Sequence, residues 1–114
     1  MELTTGVTED GRVQLTVSGD IDIETAPALR QAGLDLLASV DCTELTIMLD
    51  AVSFVDSRAI GALVEIRNAT TATSRLILRE PSKSARRLLQ LTNLYQVFDV
   101  VHDSDRPSGE VEVR

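Results

Sequence analysis

Among the 114 residues of this chain, Ser57 is the one whose position best suits it to chemistry. It follows the apolar run LTIMLDAVSFV and the acidic Asp56, and it precedes a stretch in which apolar residues return at helical spacing. A serine so placed falls in the first turn of a helix, where unpaired backbone N–H groups and the positive end of the helix dipole can accommodate a phosphate. Phosphorylation there would add roughly −1.5 to −2 charges beside Asp56, so a surface complementary to the neutral hydroxyl would meet both bulk and repulsion. Arg58, the next residue, could offset part of that charge. On residue type and spacing alone, the simplest role for Asp56 or Ser57 is to cap the helix.

Other chemistry finds little support. A zinc site needs several Cys, His or carboxylate ligands, and the chain has one cysteine and one histidine. Magnesium would require Asp20, Asp22, Asp50 and Asp56 to converge at the ends of strands, and solvated loop acids explain these residues more simply. A Ser-His-acid triad would have to join Ser57 to His102, yet Ser57 lies outside any G-x-S-x-G turn. No G-x-G-x-x-G run or P-loop follows a strand, and Gly6, Gly19 and Gly61 are isolated. The expectation is a chain without cofactor or metal that is not an enzyme.

Composition narrows the partners. Apolar residues make up 43% of the chain but form no run near the roughly 20 residues that a helix needs to cross a bilayer. The start, MELTTGVTEDGRV, has neither the basic opening nor the apolar stretch of a secretory signal, so a cytoplasmic location with Cys42 reduced is expected. Cys42 reads as filler beside a strand. With 11 basic and 18 acidic residues the net charge is −7, which opposes direct contact with nucleic acid. Arg79, Lys83, Arg86 and Arg87 form the basic cluster, which reads as the solvated face of a helix.

The elements that would position Ser57 can be read from periodicity. Leu3 to Val7 and Val13, Leu15, Val17 alternate around the turn signal Asp10-Gly11, which predicts an antiparallel hairpin. Thr25 as N-cap, Pro27 in the first turn and the stripe Leu29, Ala32, Gly33, Leu36, Leu37, Val40 predict a first helix. ELTIMLD reads as a central strand with Leu45, Ile47 and Leu49 on one side and Thr46 and Met48 on the other, apolar enough on both to be covered twice. Ile60, Leu63, Val64 and the stem of Arg67 mark one face of the second helix, with small Ala59 and Ala62 allowing close approach. Leu76 to Leu78 form a strand, and Pro81-Ser82 a turn. Ala85, Leu88, Leu89 and Thr92 mark the buried side of a third helix, and VFDVV at 97–101 the last strand. The alternation of strands and helices predicts one α/β domain with a mixed sheet and right-handed crossovers.

The segments GDIDIETAP, LTIMLDAVSFVDSRAIGAL and LILREPSKSARRLLQLTNLYQVFDV, in this order and spacing, resemble the STAS domain family, in particular the bacterial anti-sigma factor antagonists. The family signature appears as Val55, Asp56, Ser57, Arg58, Ala59, Ile60, Gly61, and its early acidic pair as Asp20 and Asp22 after Gly19. The resemblance implies a single STAS domain over residues 1–101, with a mixed sheet of four or five strands and helices packed mainly on one side. Residues 102–114 would form a polar tail in which Val111 and Val113 could add a late edge strand. It also implies docking to an anti-sigma factor that carries an ATP-binding serine kinase domain. The docking surface would comprise Asp20, Asp22, Thr25, Asp56, Ser57, Arg58, Ala59 and Ile60. Ser57 falls on the family's phosphorylatable serine, to be modified by that kinase and restored by a serine phosphatase. Arg58 stands where relatives carry a small hydroxyl residue and Ala59 where they carry glycine, which puts partner choice in question.

Two other readings fit parts of the sequence. A STAS accessory subunit of a lipid-transport or stress-sensing assembly would use the same fold without a sigma-factor circuit. A small hydrolase or nucleotide-binding enzyme would need His102 or an acidic loop to complete a site. The purified protein is expected to bind no stoichiometric zinc and to show no salt-sensitive affinity for duplex DNA; tight binding to generic duplex at moderate salt would overturn the reading of its charge.

Overall fold

The computed structural model describes residues 1–7, 10–39 and 41–102. Eight elements follow in the order β1 (Glu2–Val7), β2 (Arg12–Ile21), α1 (Ala26–Leu37), β3 (Glu44–Val55), α2 (Ser57–Asn68), β4 (Arg75–Arg79), α3 (Lys83–Leu91) and β5 (Asp99–Val101). The five strands form one sheet in sequence order, with β1 antiparallel to β2 and the others parallel. Val40 of the expected first-helix stripe, and Val111 and Val113 of the expected late strand, lie outside the described residues.

The strand order settles where the helices go. Each of the three parallel connections moves one strand further in the same direction, and right-handed crossovers that all advance one way must all lie on the same face of the sheet. Leu29 of α1, Ile66 of α2 and Leu89 of α3 accordingly share a single core with Leu45, Ile47, Leu49, Leu76 and Leu78. The two-sided covering inferred from β3 is thereby corrected. Thr46 and Met48 do point away from this core, but the opposite side meets no second helix layer among the described residues. None of the described helices is long and apolar enough to cross a membrane.

Packing also corrects the helix faces. On α2 the buried stripe is Ala59, Ile60, Ala62, Leu63 and Ile66, while Val64 is half-buried and Arg67 exposed. Ile66 seats directly over Gly33 of α1, where an added Cβ would lie inside the Ile66 side chain, 2.7 Å from its Cγ1. Gly33 is therefore a contact point between helices, and its cost to helix propensity is offset by the close approach it allows. On α3, Ala85 and Leu89 are buried, Leu88 is half-buried, and Thr92 is exposed with its hydroxyl donating to the Leu88 carbonyl.

His102, assigned by sequence to the start of the tail, packs into the domain. Its buried ring has Arg86 Nη2 2.9 Å from Nδ1 and 3.0 Å from Nε2, and the Tyr95 hydroxyl 3.1 Å from Nε2. Glu80 Oε1 lies 3.7 Å from Nδ1. Arg86 thus ties α3 to the end of β5, a role beyond that of a solvated helix face. Cys42 is buried as expected, and burial pushes its thiol pKa up, away from reactivity.

Ile47→Ala and Leu89→Ala are each expected to destabilise the fold by roughly 2–5 kcal/mol, with Leu88→Ala at or below the low end because that side chain is only half-buried. Gly33→Ala should destabilise by about 1–3 kcal/mol despite its better helix propensity, because the methyl group overpacks against Ile66. Denaturant unfolding measures all four, and a stabilised Gly33→Ala protein would contradict the helix contact.

Candidate functional site

The strand β3 is longer than the run ELTIMLD that signalled it. It continues through the segment AVSFV as strand and stays paired with β2 as far as Ile21↔Val55, with register shifts between Thr16 and Ser18 and between Gly19 and Asp20. Gly19 takes a φ of +89°, a conformation that costs glycine little. Because both strands run to the same end of the sheet, the loop leaving β2 and the loop leaving β3 emerge side by side. The Asp56 N–H donates to the Ile21 carbonyl across 3.2 Å and fixes them together.

Each loop is held by a carboxylate. Asp56 is the N-cap of α2, and its Oδ1 accepts from the Arg58 N–H at 2.8 Å. The choice between Asp56 and Ser57 as cap is decided for Asp56. Ser57 occupies the first helical position, exposed, and its hydroxyl has no hydrogen-bond partner among the described residues. In the neighbouring loop, Asp22 Oδ1 accepts from the N–H groups of Glu24 at 2.9 Å and Thr25 at 3.1 Å. Thr25 holds the N-cap position of α1, yet its side chain makes no cap hydrogen bond. Its hydroxyl instead donates back to the Asp20 carbonyl and accepts from the Asp22 N–H, both at 2.9 Å. The threonine therefore locks the loop rather than the helix.

Of the eight residues marked in the sequence, Asp20, Asp22, Thr25, Asp56, Ser57 and Arg58 come together at this end of the sheet, all at least partly accessible. Ala59 and Ile60 do not join them, being only 1% and 8% exposed: the helical turn carries their side chains into the core. The Cβ of Ala59 is accommodated in the core beneath α2. The structure adds residues that the sequence did not mark. Ile23, in the loop after β2, and Phe54, next to the last residue of β3, are 57% and 52% exposed, and Arg30 and Glu65 join α1 to α2 through an ion pair of 2.7 Å. A groove of about 390 Å³ between the two helices is lined by Ile23, Pro27, Ser57, Arg58 and Gly61, among others. Nothing in the sequence marked Ile23 as outward, since two isoleucines two residues apart would share one face of a continuing strand, and β2 ends at Ile21 before that pattern applies; the ion pair had no signal either.

No metal arrangement forms among the described residues, where no three His, Cys, Asp or Glu side chains could hold an ion. Asp22 and Asp56 are engaged by backbone N–H groups instead.

The hydrogen bonds from the Glu24 and Thr25 N–H groups hold the Asp22 carboxyl below the ordinary aspartate pKa of 3.8. A depressed carboxylate adds stability that is fully present above the ordinary value and is lost as pH falls through the lowered one. In an NMR titration, Asp22 should titrate below 3.8, and the Glu24 and Thr25 amide resonances should move with it. Titration at or above that value would remove the loop lock.

The STAS domain family matches residues 4–106 of the chain. The anti-sigma-B factor antagonist of Bacillus subtilis (strain 168) is 29% identical over 94 residues, which is 82% of this chain and 84% of that protein. The crystal structure of an anti-sigma factor antagonist from Mycobacterium paratuberculosis superposes with a TM-score of 0.77 at 30% identity, covering 91% of this chain and 88% of that one. The Bacillus antagonist SpoIIAA shares the fold at 18% identity, with TM-scores of 0.77 for its unphosphorylated form and 0.71 for its phosphorylated form. Those two comparisons each cover 91% of this chain, and 90% and 93% of the respective SpoIIAA chains. With the mixed five-stranded sheet, its one-sided helices and a family match over nearly the whole chain, the protein belongs to the STAS domain family and has anti-sigma factor antagonists among its homologues.

Proposed function

We propose that this domain is an anti-sigma factor antagonist switched at Ser57. In its unmodified form it docks, through the paired loops and the start of α2, onto the ATP-binding kinase domain of an anti-sigma factor, which then releases its sigma factor. The kinase phosphorylates Ser57 and ends the contact, and a serine phosphatase restores it.

The observation that carries this reading is the division of roles between two adjacent residues. Asp56 does the capping, so the Ser57 hydroxyl is left exposed and without a hydrogen-bond partner among the described residues, and the helix loses nothing if that hydroxyl is converted. A serine that served as the cap would be needed by its own helix. The surroundings suit docking: half-exposed Ile23 lines the same groove as the serine and offers apolar area. A phosphate at the start of α2 would meet the positive end of the helix dipole in the free protein, yet would place charge in a contact that excludes water. Modification would then act on binding and not on folding. That SpoIIAA is described in both unphosphorylated and phosphorylated forms supports a fold able to carry the group.

Calorimetry with the purified cognate anti-sigma factor tests the switch. Enzymatic phosphorylation of Ser57 should cost about 2 kcal/mol or more of binding energy, the scale of a disrupted interfacial charge, and leave the melting temperature unchanged. Ser57→Ala should bind and accept no phosphate at this position, and Ser57→Glu should bind less well than the unmodified protein. Unchanged affinity after authentic phosphorylation would refute the mechanism.

A further inference from the structure

Two residues on the accessible side of α2 work against the helix that carries them. Gly61 lies within α2, where glycine is a poor helix former, yet no packing demands it: a Cβ at this position would meet nothing within 4 Å. Arg58 stands in the first turn, where the helix dipole favours anions. Arg67, in the last turn of the same helix, shows the favourable placement of a cation. Arg58 and Gly61 both line the groove between α1 and α2, alongside Ser57. Local choices that weaken an element without a packing gain belong characteristically to binding surfaces.

The charges of this groove are unequal. Arg30, also on its wall, is neutralised within the fold by Glu65. Arg58 is exposed, and its guanidinium has neither ion-pair nor hydrogen-bond partner among the described residues. Ile23 and Pro27 make the facing wall apolar. We propose that the groove receives an apolar segment of the docked anti-sigma factor that bears a carboxylate opposite Arg58, and that this pairing makes Arg58 the residue that selects the partner. The proposal rests on the docking role of the Ser57 surface. Charge complementarity favours this occupant: on a chain of net charge −7, an acidic group is attracted only where a cation is left uncompensated. The planar guanidinium suits a carboxylate, which it can grip through two parallel hydrogen bonds. Gly61 supplies room, because its missing side chain leaves the groove open for an apolar side chain of the segment.

The test is calorimetry of the full chain against the purified cognate anti-sigma factor, at low and high salt. Arg58→Ala should weaken binding about tenfold or more and flatten its salt dependence, and Arg58→Glu should weaken it further. Replacing the partner's interfacial carboxylates one at a time by arginine should identify one change that restores binding to Arg58→Glu. Gly61→Ala should raise the melting temperature and still weaken docking, which separates occupancy of the groove from folding. Arg67→Ala, at the other end of α2, should bind like the unaltered protein. The proposal is overturned if Arg58→Ala and Arg58→Glu bind normally while phosphorylation of Ser57 still abolishes docking, a result that leaves the switch itself intact. It is also overturned if Arg58→Ala changes affinity only after phosphorylation, since Arg58 would then serve the phosphoryl group. Failure of the unaltered, unmodified protein to bind the anti-sigma factor would overturn both this proposal and the docking role.

Discussion

The site depends on the parallel pairing of β2 and β3 being carried to the ends of both strands. Had β3 stopped at Asp50, the two loops would have left the sheet at different heights, and Ser57 would have stood apart from Asp20, Asp22 and Thr25. The pairing instead continues to Ile21↔Val55, through two register shifts, and the Asp56 N–H bond to the Ile21 carbonyl closes it. A bulged strand bends and twists more than a regular one, which is how an end of a sheet is re-aimed toward a functional loop. The buried side chains beneath, Ile21, Val52 and Ala59 among them, give this end of the sheet a floor.

Around that frame, the carboxylates and hydroxyls divide the work. Asp22 and Asp56 spend their charge on backbone N–H groups at the starts of α1 and α2, and Thr25 spends its hydroxyl on the loop between Asp20 and Asp22. The Ser57 hydroxyl makes no hydrogen bond among the described residues. Such an arrangement holds an exposed hydroxyl in a fixed place without engaging it, because the backbone around it is fixed by its neighbours. The contact of Gly33 with Ile66 adds a second constraint: by setting α1 close on α2, it fixes the two walls of the groove that begins at Ser57.

What the sequence determined by itself is what depends on near neighbours in the chain. The order of the eight elements, the place of Ser57 in the first turn of α2 and the apolar run of β3 follow from local periodicity and turn residues, and the shortage of metal ligands follows from composition. The tertiary structure decided what depends on distant partners. Whether the strand signalled by ELTIMLD ran on through AVSFV turned on its pairing with β2, which lies far away in sequence. The single-sided helix layer turned on strand order, which no segment of the chain encodes alone. Thr25 stands at an N-cap position and looked like a cap, but its hydroxyl found a better partner in the loop behind it. His102 read as tail because its own segment is polar, and only the approach of Arg86 and Tyr95 makes it part of the domain. Ala59 and Ile60 were marked by their place in a motif, yet the helical turn, which separates successive side chains by roughly 100°, sends them inward while leaving Ser57 and Arg58 outside.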